Sequence, residues 1–557
     1  MAQNRLIYLP LGGAGEIGMN CYVYGYGPEG AERLILVDTG VTFPNMDSSP
    51  GVNLIMADMA WLTARLDRIE AIFITHAHED HVGAIGILHG RLPLPVFARP
   101  FTAQIARLKL EEQGRDPAIV TEVAPFPEMT EAGPFRVGFV PVAHSIPESS
   151  ALVIDTPAGR IVHTGDFKLD ESPLVGEAHN PAIWREIAKA GVKALVCDST
   201  NIFSPKPGRS ESTLVKPIAQ LIRKRQGLVV ATTFASNVAR LKTLAQAGVD
   251  AGRSVLVLGR AMRRMIDVAQ ATGVLTDFPP TVDLDDAGDI PRGSLMILVT
   301  GSQGERRAGS AQLANGKYNG ITLREGDMFL FSSKTIPGNE ISVGRIENAF
   351  SEMGVDVVDD NDGLYHVSGH ANRPDLEAMH RLLAPQILIP MHGEHRHLRE
   401  HARLGTASGI ASVIAPNGTM VDLAGNAPRV VDQIETGRSY LDGSVLIGAM
   451  DGIVRDRIRM ALNGQAIVTL ILDEDDEPLG GVRVETIGLP DPAGANHSLA
   501  ELIEEGIEYQ LTRAKDSILT SDDALEELIR RAVRKISQEL IGKRPETRVL
   551  IDRLVAG

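Results

Sequence analysis

The chain has 557 residues, 43% hydrophobic and 23% charged, a balance close to the globular average that excludes disordered and fibrous proteins, and at about 150 residues per domain its length predicts three to four domains. A formal charge of −16, from 55 Lys and Arg against 71 Asp and Glu, excludes wholesale wrapping of nucleic acid by a basic surface but leaves room for a local basic cleft. Only Cys21 and Cys197 are present, which excludes a disulfide scaffold or a cysteine-rich zinc module and fits a reducing cytoplasm.

The first residues, MAQNRLIYLPLGGAGEIG, lack the charged region and apolar core of a secretory signal. No run approaches the roughly 18 apolar residues that would span a bilayer, so no membrane association is expected. Gly13, Gly15 and Gly18 spell G-x-G-x-x-G, with Asp38 at about the 20-residue spacing of a dinucleotide fingerprint. The context fails it, because Gly18 leads into the strand-like MNCYVYGYG where a nucleotide site needs a helix N-terminus. A glycine-permitted hairpin turn is predicted instead.

Short apolar runs then end repeatedly in polar or glycine clusters: LILVDTG (34–40), EAIFITHAHEDH (70–81), ALVIDT (151–156), RIVHTGD (160–166), KALVCDST (193–200), GLVVATTFASN (227–237), SVLVLGR (254–260), LMILVTGSQGE (295–305), MFLFSSK (328–334), QILIPMHGE (386–394) and ASVIAP (411–416). Several precede helical patterns, which makes this an α/β chain, and in such sheets chemistry gathers beyond the carboxyl ends of strands. GNAPRVVDQIETGRSYLDG reads as a polar connector. From about residue 455 a small α+β domain is predicted: strand QAIVTLIL, a solvated acidic turn at Asp473 to Glu477, strand GVRVETIG, helix ALEELIRRAVRKISQEL and strand TRVLIDRL.

His76-Ala77-His78-Glu79-Asp80-His81 follows the run AIFIT and precedes a helical pattern. Crowding three imidazoles and carboxylates in one strand-to-helix turn is relieved by a divalent metal. Adjacent side chains in a tight turn point different ways, so His76/His78 and Asp80/His81 suggest two separate ions. Further ligand candidates at strand ends are His144, Asp166 and His392.

These segments, together with CDSTN (Asp198), TFASN and HVSGHA (His370), resemble metallo-β-lactamase-fold nucleases of the β-CASP group, and among them the bacterial ribonuclease J family. The resemblance covers roughly residues 5 to 430, and the C-terminal unit fits the small extra domain of that family. It implies an αββα sandwich at 1–212 completed by 373–430, an inserted β-CASP domain at 213–372, a linker at 431–455 and an α+β domain at 456–557. One ion then falls to His76, His78 and His144, the other to Asp80, His81 and His392, with Asp166 bridging and Asp38 orienting the ligands. Zinc suits this donor mix, and manganese is the alternative.

By the same resemblance Asp80, Asp198 and His370 are catalytic, His370 serving the leaving 3' oxygen and Asp198 setting its tautomer. Ser236, Asn237, His366, Ser368, Gly369 and His370 would cradle a 5' phosphate. The bland alternative for Ser236 is ordinary capping of the following helix. The implied activity is 5'-to-3' exonuclease on 5'-monophosphorylated RNA plus endonuclease, in rRNA processing, mRNA decay and RNA maturation generally. Single-stranded RNA, RNA-decay proteins and a dimeric or tetrameric assembly are the expected partners. A hydrolase of a small ester, thioester or lactone and a non-catalytic RNA-binding scaffold are the competing readings. Arg260, Arg263, Arg264, Arg306, Arg307 and Lys334 are candidates to line an RNA channel. His395, His397 and His401 follow MHGE on a probable helix, where solvated side chains are expected.

Overall fold

The computed structural model describes residues 4–554. They divide into two compact units, one formed by the residues up to 42 with 56–438 and the other by 43–55 with the residues from 439 on.

In the first unit an eight-stranded and a seven-stranded sheet face each other. Leu6, Tyr8, Ile35 and Phe73 from one sheet meet Phe139, Leu152, Val196 and Ile389 from the other in a single core. Helices Pro181–Lys189 and Arg373–Leu383 cover the outer face of the second sheet through Trp184, Ile187, Leu376 and Met379. Strand Ala194–Asp198 is therefore buried on both faces, which is why it reads as an unbroken apolar run. Helix Arg373–Leu383 is started locally by a capping box between Asn372 and Asp375 and a proline in its first turn.

Strands Ala194–Asp198 and Ile387–Met391 pair in parallel, with Asp198 opposite Met391. The chain between them builds a separate five-stranded sheet, all parallel, in the order Ser254–Leu258, Leu295–Val299, Val229–Thr232, Met328–Phe331, Asp356–Val358. Each apolar run picked out in the sequence forms or begins a strand. The glycine pattern is a turn, as expected: Arg5–Gly12 and Cys21–Gly27 pair antiparallel with Gly12 opposite Cys21, and Gly13, Gly15 and Gly18 take φ of 81°, 96° and 98°.

In the second unit a sheet in the order Arg483–Ile487, Gln465–Leu472, Glu546–Arg553 packs against helices Leu499–Leu511 and Asp522–Ile541. This unit differs from the sequence expectation in several places, helix Ile453–Asn463 among them. Residues 431–455 are not an irregular connector, because Arg438–Asp442 and Val445–Gly448 form a hairpin. Helix Leu499–Leu511 was not anticipated, although Ser498 and Glu501 form a capping box at its start. Among the described residues no helix is long and apolar enough to cross a membrane.

In the inserted sheet Phe329 is fully buried and stacks on Phe350 at 4.4 Å. Phe329→Ala should remove about 3–5 kcal/mol from the stability of this region, read as an unfolding transition at lower temperature in calorimetry.

Candidate metal centre and active site

The THAHEDH turn leaves strand Ile69–Phe73 and enters the one-turn helix Glu79–Val82. It folds tightly over Gly40, where any Cβ would collide with the Asp80 carbonyl oxygen. Asn20 clasps that carbonyl through its backbone N–H at 2.9 Å and its side chain at 3.0 Å.

Two clusters of metal-ligating side chains result, and they share Asp166. His76, His78, His144 and Asp166 form the first; Asp80, His81, Asp166 and His392 form the second. In the first, His78 Nδ1 lies 3.1 Å from both His76 Nε2 and His144 Nε2. His144 Nδ1 donates to the Gly369 carbonyl at 2.6 Å, leaving Nε2 bare toward His78. In the second, Asp80 Oδ2 stands 3.2 Å from His392 Nε2 and 3.6 Å from His81 Nε2. Asp166 stands 3.3 Å from His81 Nε2 and 3.1 Å from His392 Nδ1.

Asp38 joins neither cluster. It accepts from His81 Nδ1 at 2.7 Å and from the Thr75 backbone at 2.8 Å and hydroxyl at 2.9 Å, so it fixes the His81 ring. His392 sits at φ 48° and donates its backbone N–H to the Gly13 carbonyl at 2.7 Å. The glycine turn is thus a support of this site.

The electrostatics separate the clusters. Burial, then neighbouring imidazoles, hold His76 and His144 well below the ordinary histidine range, and burial lowers His78 to about 4. All three are neutral and offer lone pairs. For His81 burial pulls the same way, but Asp166, Asp80 and Asp38 outweigh it and raise the imidazole to about 10. His392 is likewise raised against burial, chiefly by Asp166. Asp166 Oδ1 is buried without an aligned hydrogen bond. A buried carboxylate oxygen with only His392 Nδ1 beside it, at 3.1 Å and out of hydrogen-bond alignment, among borderline nitrogen donors fits a bound divalent cation.

Asp198 and His370 lie beside the clusters. His370 Nδ1 donates to Asp198 Oδ2 at 2.8 Å, while Thr200 donates to Asp198 Oδ1 from its backbone at 2.9 Å and its hydroxyl at 2.7 Å. Burial lowers the His370 pKa, but Asp198 and Asp166 overcome it and raise the group. Asp166, Asp198, His370 and His392 also form a third, overlapping set close enough to hold an ion.

A pocket next to the first cluster is lined by His144, Ser145, Lys168, Asn237, Ser368 and Gly369, among others. Asn237, not Ser236, caps the helix Val238–Asp250, accepting from the Arg240 backbone at 3.0 Å. Ser236 and His370 are outside the pocket lining, and so is His366. His366 is kept neutral by burial and by Arg240, Lys334, Arg209 and Lys168 around it. Of the basic candidates, Lys334 belongs to this surround, whereas Arg264 pairs with Glu112 at 2.5 Å. Asn20, Thr75, Thr200, Ser145 and Lys168 escaped the sequence reading, although Thr75 and Thr200 lie inside the strand-end runs.

Successive stretches match known families: the Metallo-beta-lactamase superfamily at 14–200, the Ribonuclease J beta-CASP domain at 226–350, the Zn-dependent metallo-hydrolase RNA specificity domain at 355–416 and the Ribonuclease J C-terminal domain at 452–554. The chain is 41% identical to Ribonuclease J of Sinorhizobium meliloti, across 100% of this chain and 98% of that one. The chain belongs to the ribonuclease J family. Ribonuclease J of Mycolicibacterium smegmatis is 34% identical over 98% of this chain and 97% of its own. A crystal structure of a protein of unknown function from Enterococcus faecalis shares the fold, with a TM-score of 0.51 and 17% identity over 75% of this chain and 100% of that chain. The chain is accordingly a metal-dependent ribonuclease of the ribonuclease J family, with a metallo-β-lactamase domain, an inserted β-CASP domain and a C-terminal domain.

Because ångström-scale misplacement costs roughly 10²-fold in rate, Gly40→Ala should lower RNA cleavage by about that factor or more. Circular dichroism should show the fold retained, while elemental analysis shows reduced metal content.

Proposed function

We propose that this ribonuclease hydrolyses single-stranded RNA in the 5'-to-3' direction from a 5' monophosphate and also cuts internally, serving RNA maturation and decay, rRNA and mRNA included, in the cytoplasm. The observation that carries the reading is that His144 belongs both to the first ligand cluster and to the lining of the pocket that holds Asn237, Ser368 and Gly369. Of the cations around His366, Arg240 pairs with Glu211 and Lys168 with Asp170, while Arg209 and Lys334 have no ion pair among the described residues and are the ones to supply the positive potential a terminal phosphate needs. A terminal monophosphate carries more charge than an internal linkage. Its capture would set the next phosphodiester over the clusters.

Two divalent ions, zinc by donor type with manganese as the alternative, would be held by His76, His78 and His144 and by Asp80, His81 and His392, with Asp166 serving both. When bound, such ions supply Lewis acidity toward a phosphoryl oxygen and a nucleophile at neutral pH. The protein does the rest by positioning and proton transfer. Asp38 and the Gly369 carbonyl keep His81 Nε2 and His144 Nε2 free for ligation. Asp198 occupies His370 Nδ1 and raises the imidazole's affinity for a proton, so His370 Nε2 can deliver that proton to the leaving 3' oxygen. Ser236, next to the capping Asn237, and His366, among the lysines and arginines around it, stand beside the phosphate pocket without forming part of its wall. Aromatic residues make up only 4% of the chain, so phosphate contacts dominate over base stacking and sequence selectivity is low.

Dimers or tetramers would form partly through the C-terminal unit, where Ile471, Ile487 and Leu550 remain 38%, 49% and 43% exposed on its sheet. Partner proteins of RNA decay are expected to join that assembly.

Matched RNAs carrying a 5' monophosphate, triphosphate or hydroxyl test the reading. Mononucleotides should appear chiefly from the first, with rates falling steeply as salt rises. Equal attack on all three ends would sink the end-sensing pocket. Asp80→Ala or His81→Ala should abolish cleavage with the fold intact, and an active variant of either would refute the ligand assignment.

A further inference from the structure

Behind the nuclease centre a second group of ligating side chains meets in the core. Cys197 comes from strand Ala194–Asp198, His380 from helix Arg373–Leu383 and His401 from helix His395–Ala407. They are 0%, 3% and 0% exposed, which overturns the solvated setting expected for His401. One ligand atom from each lies within 4.8 Å of the other two. His380 Nε2 and His401 Nε2 are 3.0 Å apart, near the roughly 3.3 Å that separates two imidazole nitrogens on one tetrahedral ion.

The hydrogen bonds around them accommodate a tautomer suited to ligation. Ser199 Oγ lies 3.3 Å from the Cys197 carbonyl and 2.9 Å from His401 Nδ1; with the hydroxyl donating to the carbonyl, it accepts from His401 Nδ1. His401 Nε2 is then a bare lone pair aimed at His380. This is the arrangement by which a neighbouring group prepares a metal-ligating histidine. His380 Nδ1 is buried without any hydrogen-bond partner, so the histidine pair does not form a closed polar network. Burial keeps both rings neutral, His380 at about 4 and His401 well below the ordinary range. A thiol and two neutral imidazoles from three separate elements make a borderline-soft donor set.

We propose that Cys197, His380 and His401 form a structural site for one zinc-class divalent ion, distinct from the nuclease centre. Binding converts the Cys197 thiol to a thiolate and releases its proton. The closed surroundings mean that the ion enters as the chain folds. It ties the strand that ends in Asp198 to the two helices that flank His392.

Cobalt separates this site from the other, because no sulfur lies in the nuclease clusters. Full-length protein produced in zinc-depleted, cobalt-supplemented medium should show near-ultraviolet thiolate-to-cobalt charge-transfer absorption. The band should persist in Cys21→Ser and in an Asp80→Ala/His392→Ala chain. It should vanish in Cys197→Ser and in His380→Leu. Its absence from the unmutated cobalt-grown protein, or its survival in Cys197→Ser, would overturn the proposal. Because the unmutated protein and Cys21→Ser report on their own, a folding defect in the other variants does not decide the matter. Loss of nuclease activity in the Asp80→Ala/His392→Ala chain with the band retained would leave the two centres independent.

Discussion

Asp166 is a buried carboxylate with imidazoles on every side. Its Oδ2 lies 3.3 Å from His81, 3.7 Å from His144, 3.8 Å from His76 and 4.0 Å from His370, and its Oδ1 lies 3.1 Å from His392. Burial alone would push such a group toward its neutral form, yet His392, His81 and His370 reverse that and hold it well below the ordinary carboxylate range. A buried anion persists only where positive charge compensates it. Protons on His81 and His392 and divalent cations compete for that role, so metal loading and proton release are one equilibrium. The inequality between the clusters follows: beside the shared Asp166 the first presents three neutral imidazoles, whereas the second adds Asp80 and retains protons until they are displaced.

The sandwich brings these groups together because its strands end on one edge. Asp166 follows strand Gly159–His163, Asp198 closes Ala194–Asp198, and His392 follows Ile387–Met391; these strands are consecutive neighbours in one sheet. His76 and Asp38 follow adjacent strands of the facing sheet. Parallel pairing of Ala194–Asp198 with Ile387–Met391 fixes the Asp198 to His392 spacing regardless of how much chain is inserted between them. The insertion can therefore grow into a domain with its own sheet and core and still leave the ligand positions set by the register of the surrounding strands. HVSGHA returns at the end of that insertion, and Gly369 touches His144 there. One contact thus fixes both the pocket wall at Gly369 and the tautomer of His144.

Much of this was legible because strand ends are marked by a change from apolar to polar residues. HAHEDH announces itself by density, and the α/β alternation places His144, Asp166 and His392 at comparable positions. Side chains that act by hydrogen bonding across long separations leave no such mark. Asn20 serves Asp80 and His81 from far along the chain, and no local pattern distinguishes it from another polar turn residue. Segment 43–55, which packs with the C-terminal unit, is invisible for the same reason. His401 is a different case. Leu398, His401, Ala402 and Gly405 lie on one helical face and are all buried, so helical periodicity contained the signal, and the polarity of histidine masked it.

The glycine pattern shows how one motif can mislead about chemistry and still inform about structure. In a nucleotide site such glycines permit close approach of backbone to phosphate; here they permit close approach of backbone to side chains. A Cβ on Gly13 would collide with Asn20 Oδ1 and the Tyr22 hydroxyl. Those atoms bond each other at 2.7 Å, which orients the Asn20 amide toward Asp80 and His81. The Gly13 carbonyl receives the His392 N–H, and Ala14 and Gly15 pair with Gly393 and Glu394 just beyond it. One turn thereby sets ligands contributed from both ends of the first unit. A β-carbon at position 13 would act on the second cluster through Asn20 and His392 together.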